Sequence, residues 1–293
     1  MGERTLLHTT DGGRTWKEVP RTRAYAWPPS VAFLDTQRGW IETHPSPVQE
    51  DVLLETNNGG RTWTNVSGKF PVFPRILDAD HWWGIKMTPL VGAEDGRYWR
   101  RALERTSDGG GTWTETPLPY ESGDFPRVEF LSADYGWIGS VIGGQFAIFR
   151  TSDGGKSWEK SLTSTPKPAH NIVDLFFFDK SHGWVIVDFN LREGYNGNGS
   201  YVFSTTDGGK TWTRQESRVL QSGYAFWVNF LSEQFGFVYL DRPALAYTSD
   251  AGVAWQKIAI RGYVTGCQAF AGDLFCTAQD KRSKLAVLTI HPR

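Results

Sequence analysis

The stretch TTDGGKTW, Thr205 to Trp212, carries residue types that could bind a nucleotide. Gly-Lys-Thr is the end of a phosphate-binding loop, whose backbone N–H groups wrap the phosphates and which needs a further glycine at a fixed position before it. That position is Ser204 before Gly209, and it is Arg150 before Gly155 in the related stretch TSDGGKSW. The spacing therefore argues against a nucleotide site in either stretch.

Acid–base and metal chemistry have few candidates. Glu94, Asp95, Glu121 and Asp124 lie in irregular segments and could form a glycosidase pair of carboxylates, although acids in loops usually serve solubility. The histidines show no metal-ligand spacing, and neither HExxH nor Cys-x-x-Cys occurs. A Gly-x-Ser-x-Gly nucleophile turn is also absent. We expect no metal and no cofactor, and the sequence assigns no catalytic residue.

The composition indicates short strands joined by tight turns. The chain of 293 residues has 32 Gly, 14 Trp, 18 Phe and 10 Tyr. Its 31 basic and 32 acidic residues give a net charge of -1, which argues against a nucleic-acid partner. No apolar run reaches the roughly 18 residues of a membrane span, and the start lacks the apolar segment of a signal peptide.

One octapeptide occurs six times. Its Asp or Asn can accept hydrogen bonds from backbone N–H groups just ahead. Its second Gly is unchanged in all six copies, as a position with positive φ requires. Its Trp can fold back over the turn and bury aromatic surface. The copies span 9–16, 56–63, 106–113, 151–158, 205–212 and 248–255, with Asp11, Asn58, Asp108, Asp153, Asp207 and Asp250 and with Trp16, Trp63, Trp113, Trp158, Trp212 and Trp255 as their structural residues.

A second motif, F-x5-G-W, alternates with the first. It spans 33–41, 130–138, 177–185 and 230–238; residues 77–85 are a degenerate copy with Trp83 at the tryptophan position, and 270–277 is a shortened one. Two hairpins in each period make four strands, which is the pattern of a propeller blade. We predict an all-β propeller of six blades, with seven as the alternative. Residues 1–293 would form one domain, closed by pairing of its N- and C-terminal segments.

The octapeptide T-x-D-x-G-x-T-W is similar to the Asp-box, or bacterial neuraminidase repeat. Together with F-x5-G-W it resembles the photosystem II assembly/stability factor-like propeller family, which is common in bacterial genomes. This resemblance implies a non-enzymatic scaffold that binds a protein, such as an assembly client. Asp-boxes also occur in sialidases and other glycoside hydrolases, so a carbohydrate-active enzyme or a sugar-binding protein is the alternative. The early Arg-Ile-Pro motif of sialidases is Arg75-Ile76-Leu77 here and lacks its proline.

Partner binding is expected at the strand ends opposite the two kinds of turn. Irregular segments lie there, among them 20–30, 88–101 and 117–127, and loops on a rigid scaffold are the usual place for binding. Arginines and aromatics are typical anchors of interfaces, whereas the alternative is a solvated loop with packed arginine stems. The candidates are Trp27, Arg75, Arg97, Tyr98, Trp99, Arg100, Arg101 and Arg127.

The two cysteines, Cys267 and Cys276, flank a probable turn at Ala271-Gly272. A hairpin centred there places them opposite each other, where a disulfide and two free thiols are equally compatible with the pattern. A disulfide would indicate an oxidising compartment, periplasmic or secreted.

Overall fold

The computed structural model describes residues 7–8, 15, 17–18, 30–43, 52–66, 72–89, 99–120, 126–163, 169–189, 199–220, 225–240, 244–259, 263–270, 273–279 and 285–290. Among these residues, no helix is long and apolar enough to cross a membrane.

The described chain is built of antiparallel sheets, so the prediction of an all-β protein is confirmed. A two-stranded sheet comes first, with β1 (Leu7–His8) and β2 (Lys17–Glu18). Five four-stranded sheets follow, each made of consecutive strands that pair in chain order. We call them the first to fifth blades. A three-stranded C-terminal sheet ends the chain.

The first blade holds β3 (Ser30–Phe33), β4 (Gly39–Thr43), β5 (Val52–Thr56) and β6 (Thr64–Asn65). The second holds β7 (Val72–Ile76), β8 (Trp82–Pro89), β9 (Trp99–Thr106) and β10 (Thr114–Pro117). The third holds β11 (Arg127–Phe130), β12 (Gly136–Ile142), β13 (Gln145–Thr151) and β14 (Glu159–Thr163). The fourth holds β15 (Asn171–Phe177), β16 (Gly183–Phe189), β17 (Gly199–Thr205) and β18 (Thr213–Arg214). The fifth holds β19 (Ala225–Phe230), β20 (Gly236–Leu240), β21 (Ala244–Thr248) and β22 (Gln256–Ala259), and the C-terminal sheet holds β23 (Tyr263–Phe270), β24 (Asp273–Gln279) and β25 (Leu285–Ile290).

The prediction of six or seven blades closed by the two chain ends is wrong, because five blades have four strands. The edge of β24 that a further strand could join is occupied by β25, from Leu274↔Ile290 to Gln279↔Leu285. The N-terminal hairpin, in turn, pairs β1 with β2 in a sheet of its own. Which strand fills a free sheet edge depends on tertiary pairing, and no local motif reports it.

The chain divides into two compact units, Met1–Leu118 and Pro119–Arg293. The first unit contains the first and second blades, and the second unit contains the third, fourth and fifth blades and the C-terminal sheet. In that last sheet Cys267 is the cross-strand partner of Cys276, as the expected hairpin requires. A single domain of residues 1–293 stays a prediction, as does a disulfide.

A phenylalanine faces a glycine across the first two strands of four blades. The pairs are Phe33↔Gly39, Phe130↔Gly136, Phe177↔Gly183 and Phe230↔Gly236. A Cβ atom on any of these glycines would lie 2.3–2.5 Å from a carbon of the opposite ring. The ring therefore covers the bare backbone of the glycine, an arrangement known to stabilise glycine in sheets. This contact explains the F-x5-G spacing.

In the second unit, the tryptophans that follow Gly136 and Gly183 join neighbouring blades. Trp137 stacks on Phe177 of the fourth blade with ring centroids 3.6 Å apart, and its Nε1–H donates to the Gly208 carbonyl at 2.9 Å. Trp184 does the same to the fifth blade, with Phe230 at 3.5 Å and the Ala251 carbonyl at 3.1 Å. Each indole thus holds both the core and a turn of the next blade.

In the second blade, the aromatic residue of this cross-strand pair stands on the second strand, at the position that glycine has in the other four blades. Its register sets Ile76 opposite Trp82, so that Trp82 stands at the glycine position, and Trp83 stands at the tryptophan position as predicted. The Trp82 ring lies 4.6 Å from Trp40 of the preceding blade and 6.5 Å from Trp113. Phe177 makes the equivalent two contacts in the fourth blade, with Trp137 and Trp212. The aromatic ring that contacts the tryptophan of the preceding blade and the tryptophan of the octapeptide therefore comes from either partner of the cross-strand pair.

Candidate functional site

Five copies of the octapeptide lie among the described residues, at 56–63, 106–113, 151–158, 205–212 and 248–255, and we call them the aspartate turns. In the turn of the fourth blade, the Thr205 hydroxyl donates to Asp207 Oδ1 at 2.8 Å and accepts the Gly209 N–H at 2.9 Å. Asp207 Oδ1 accepts the Thr211 N–H at 3.0 Å, and Oδ2 accepts the Thr211 hydroxyl at 2.7 Å. Both carboxylate oxygens thus accept hydrogen bonds inside the turn. The motif predicted that the aspartate accepts a backbone N–H, and Oδ1 does so.

The glycine and tryptophan of these turns also behave as predicted. The second glycine has φ between 81° and 93° in all five turns, which an L side chain rarely adopts. The tryptophan ring folds back so that a Cβ on Gly209 would touch Trp212 at 3.4 Å, and the Trp212 Nε1–H donates to the Gly209 carbonyl at 3.1 Å. Lys210 is exposed and contributes only its backbone N–H, to Asp207.

Hydrogen bonds lower the pKa of the turn aspartates. The pKa of Asp108 falls to about 2, chiefly because the Thr106 hydroxyl donates to its carboxylate. For Asp207, partial desolvation opposes the Thr211 and Thr205 hydrogen bonds, which still bring the pKa to about 2. Because the folded pKa lies below the unfolded one, these bonds stabilise the protein above about pH 4, and that stability is lost as the pH falls towards 2.

Asp207→Ala is expected to lower the free energy of unfolding by roughly 1–3 kcal/mol, because the Thr211 N–H and two hydroxyls lose a charged acceptor. Asp207→Asn should cost much less, since Asn58 already serves in the first blade, where its Nδ2 donates to the Thr62 hydroxyl at 2.7 Å. Urea unfolding of both variants measures the difference. Equal losses for alanine and asparagine would contradict the role of the acceptor oxygen.

Both kinds of turn lie at the same end of each blade, which we call the turn end. A backbone N–H of the aspartate turn donates to a carbonyl of the F-x5-G turn in every blade, for example Gly109 to Asp80 at 3.0 Å and Gly208 to Ser181 at 2.9 Å. The opposite end, where β8 ends and β9 begins in the second blade, is the loop end. The turn end is thus occupied by its own hydrogen bonds, and any binding site is expected at the loop ends.

The arginines predicted for the partner surface do not all lie together. In the second blade Arg75 pairs with Trp83 near the turn end, whereas Arg100 pairs with Thr88 near the loop end. Thr88 is five positions after Trp83 on β8, so the two residues lie roughly 16 Å apart along the blade. Arg100 forms an ion pair with Glu115 on β10, and Arg101 is half-buried. The remaining candidates of the first unit, Trp27, Arg97 and Tyr98, lie outside the described residues, and only the backbone of Trp99 is described.

Arg127 lies at the loop end of the third blade. Its Nε–H donates to the Val173 carbonyl at 2.7 Å, at the point where a β-bulge shifts the register between β15 and β16. A bulge leaves its extra residue unpaired in the ladder, so the guanidinium satisfies a carbonyl of the neighbouring blade. Arg127 therefore links the third blade to the fourth, and within the described part of the chain its two Nη groups make no other hydrogen bond.

Sequence reasoning missed a buried carboxyl group at the loop end of the fourth blade. Asp188 is 3% exposed, and Oδ1 has no hydrogen-bond partner among the described residues. The His170 imidazole lies beside it, with Nδ1 3.8 Å from Oδ2 and with its side chain 65% exposed. Desolvation raises the pKa of Asp188, an effect that the His170 imidazole and the Phe189 N–H reduce only in part. The sequence signal was weak, a lone Asp after five apolar or glycine residues in GWVIVD.

An exposed aromatic pair lies at the loop end of the fifth blade. Phe226 is the extra residue of a bulge between Ala225 and Trp227, and its exposed ring stacks on Tyr239 with centroids 5.6 Å apart. Trp227 is half-buried beside Tyr239 in the core of the blade. The structure therefore presents Phe226 rather than Trp227 to solvent.

Solved structures similar to this chain share its architecture at low sequence identity. YCF48 from Cyanidioschyzon merolae is 17% identical, with a TM-score of 0.62 over 98% of this chain and 88% of that one. A puromycin-hydrolyzing peptidase of Mycobacterium tuberculosis is 10% identical, with a TM-score of 0.59 over 98% of this chain and 48% of that one. An alpha-L-arabinanase of Penicillium chrysogenum is 13% identical, with a TM-score of 0.51 over 87% and 89%. The fold is a β-propeller.

No family model matches the chain, and no curated protein matches it. At these identities the similarity concerns the fold alone, and propellers serve as binding proteins and as enzymes alike. The function of this propeller must therefore be argued from its own side chains.

One group of side chains in the described part of the propeller has metal-binding residue types. Donor atoms of Asp179, His182 and Glu233 lie within 4.8 Å of one another at the turn ends of the fourth and fifth blades. Asp179 already accepts the N–H groups of Ser181 and His182 and contacts His182 Nδ1 at 2.9 Å. Asp78 and His81 make the same turn in the second blade. The arrangement is thus a repeated turn, and we assign it no metal.

Asp188→Asn is expected to become more stable relative to the unchanged protein as the pH rises above about 4. The raised pKa means that the folded state binds more protons than the unfolded state in this range, so stability falls with rising pH through the window that begins at the usual value of 3.8. Asparagine removes that dependence. Thermal unfolding between pH 4 and pH 7 measures it, and parallel curves for the two proteins would contradict a buried, unpaired carboxylate.

Proposed function

We propose that this propeller is a non-enzymatic scaffold that binds a protein partner through its loop ends. The observation that carries the proposal is the contrast between the two ends of the blades. At the turn ends, the Asp207 carboxylate and the turn carbonyls are occupied by local hydrogen bonds. At the loop ends, the Arg127 Nη groups and the Asp188 Oδ1 atom have no hydrogen-bond partner among the described residues, and the Phe226 ring is exposed.

The sequence motifs support the same proposal. The hydrogen bonds of the aspartate turns and the blade junctions formed at the F-x5-G-W motifs support the proposal that the chain is an assembly-factor-like Asp-box propeller. The similarity in fold to YCF48 agrees with that placement. Arg97, Tyr98, Trp99, Arg100, Arg101 and Trp27 remain part of the proposed partner surface of the first unit, and Arg127 is the part that belongs to the second.

The partner surface is tested by replacing Arg97, Trp99, Arg100 and Arg127 together with alanine. We expect the proteins recovered with the unchanged chain in a pull-down to be lost. The matched control replaces three exposed basic residues at the turn ends, Arg61, Lys156 and Lys210, and should leave recovery unchanged. Because Arg127 also holds the Val173 carbonyl, an Arg127→Lys version of the variant and its thermal unfolding confirm that the fold persists. Unchanged recovery with the folded variant would refute this surface.

A carbohydrate-active enzyme is the second candidate. The observation that favours it is the buried Asp188 beside the exposed His170, because a carboxyl group with a raised pKa can serve as a general acid. The similarity in fold to an arabinanase is compatible with this candidate. Hydrolysis of a panel of aryl glycosides by the protein, abolished by Asp188→Asn, Glu94→Gln or Asp124→Asn, would establish it over the scaffold.

A further inference from the structure

Asp188 has one buried oxygen that the described part of the fold leaves without a donor. The side chain is 4% exposed, and among the described residues no group donates a hydrogen bond to Oδ1. Leaving a charged acceptor buried and unpaired is unfavourable, and such groups in native proteins call for an explanation. A ligand that supplies the missing donor is one such explanation.

The other aspartates of the fourth blade are accounted for by local structure. Asp174 Oδ2 accepts the Val228 N–H of the fifth blade at 2.9 Å. Asp179 closes its turn through Ser181 and His182, and Asp207 closes the aspartate turn. Among these four aspartates, Asp188 alone has a buried oxygen without a donor within the described residues.

The surroundings of Asp188 form a polar row across the blade at its loop end. Asn171 on β15 and Ser200 on β17 are its cross-strand partners on either side, and such partners lie roughly 5 Å apart on one face of the sheet. The Ser200 hydroxyl oxygen is already engaged, because it accepts the Ala225 N–H at 3.1 Å. His170 covers the row on its solvent side, with the His170 N–H bound to the Asp188 carbonyl at 2.8 Å.

We propose that Asp188 receives a positively charged side chain of the protein partner, the ammonium of a lysine or the guanidinium of an arginine. This inference rests on the proposed function. The basic group enters past His170, whose imidazole swings towards solvent, and it donates hydrogen bonds to Oδ1 while Asn171 lines the entrance.

The negative charge of the Asp188 carboxylate favours a basic group over a neutral hydrogen-bond donor. A sugar hydroxyl or a backbone amide would satisfy Oδ1 but leave the negative charge in a buried place without a counter-ion, which is costly. An ammonium or guanidinium supplies both the donor and the charge, and hydrogen bonds between charged groups are the stronger ones. Since His170 is mostly exposed and its Nδ1 lies 3.8 Å from Oδ2, it provides that compensation only in part.

The probe for this inference is a random-peptide phage library panned on the full chain. We expect the selected peptides to share a lysine or arginine. Exchange of that residue for norleucine or citrulline should weaken binding by about tenfold or more, as should Asp188→Asn in the protein. The matched control is Asp174→Asn, because its amide oxygen can still accept the Val228 N–H, and it should bind the peptides like the unchanged protein. Unfolding curves show that each variant is folded.

The outcomes separate the inference from the proposed function. Peptides that bind equally well to Asp188→Asn, or that tolerate the loss of their basic residue, would overturn the role of Asp188 and leave the scaffold proposal standing. A library that yields no binder at all would overturn both. Peptides whose binding fails with Asp188→Asn and with the neutral exchange, but persists with Asp174→Asn, establish the site.

Discussion

Trp184→Ala is expected to lower the free energy of unfolding by about 3–5 kcal/mol, the range for truncation of a large buried aromatic. Trp184 is 1% exposed and stacks on Phe230 of the next blade. Its Nε1–H also donates to the Ala251 carbonyl, so the substitution leaves a cavity and removes the donor of a turn carbonyl. Equilibrium unfolding in urea, followed by tryptophan fluorescence and far-UV circular dichroism, measures the loss.

Two control variants distinguish the contribution of Trp184 to the blade junction from the contribution of residues in the aspartate turn. Trp212 is half-buried above its own aspartate turn, so Trp212→Ala should cost clearly less than Trp184→Ala. Lys210→Ala should have little effect, because the side chain is exposed. If all three variants unfold at the same midpoint, Trp184 does not join the fourth and fifth blades as described.

The local structure of this propeller could be predicted from its sequence because the motifs are short and repeated. The turn chemistry of Asp207, the positive φ of Gly209 and the cover provided by Trp212 all depend on residues within one octapeptide. The blade count could not be predicted in the same way. It depends on whether Leu285–Ile290 or the N-terminal hairpin occupies the edge of β24, which is a choice between distant pairings.

The candidate site was harder to predict, since its features arise from burial and register. A bulge between Ile172 and Asp174 exposes the Val173 carbonyl that engages Arg127, and no residue pattern announces that bulge. Arg75 and Arg127 each follow a Phe-Pro pair, yet they differ in register. Arg75 pairs with Trp83, whereas Arg127 pairs with Gly139, two residues beyond the corresponding Trp137. Asp188 became a candidate only when the structure showed that it is buried without a partner.

Gly183→Trp is expected to be the most damaging single substitution considered, with a loss on the order of 3 kcal/mol or more from overpacking. A Cβ at Gly183 would already lie 2.5 Å from two carbons of the Phe177 ring. That ring cannot move aside cheaply, because it is 1% exposed, stacks on Trp137 and meets Trp212 edge-on. Gly183→Ala should show a smaller loss of the same origin.

The second blade shows which substitution on the facing strand would relieve this clash. There Ile76 faces Trp82, and the Trp82 ring contacts Trp40 and Trp113 as the Phe177 ring contacts Trp137 and Trp212. The Trp82 Nε1–H donates to the Asp78 carbonyl at 2.8 Å, and Asp179 has the corresponding place in the fourth blade. The double variant Phe177→Ile, Gly183→Trp should therefore recover much of the stability that Gly183→Trp loses.

A double-mutant cycle in urea measures this recovery, with Phe177→Ile as the second single variant. Phe177→Ile alone should be destabilising, because it removes the ring stacked on Trp137 and uncovers Gly183. We expect a favourable coupling of roughly 1–3 kcal/mol between the two substitutions, since the side chains touch across one strand pair. Additive losses would mean that the second blade accommodates Trp82 through features of its own. They would contradict the inference that the aromatic ring can be supplied by either residue of the cross-strand pair.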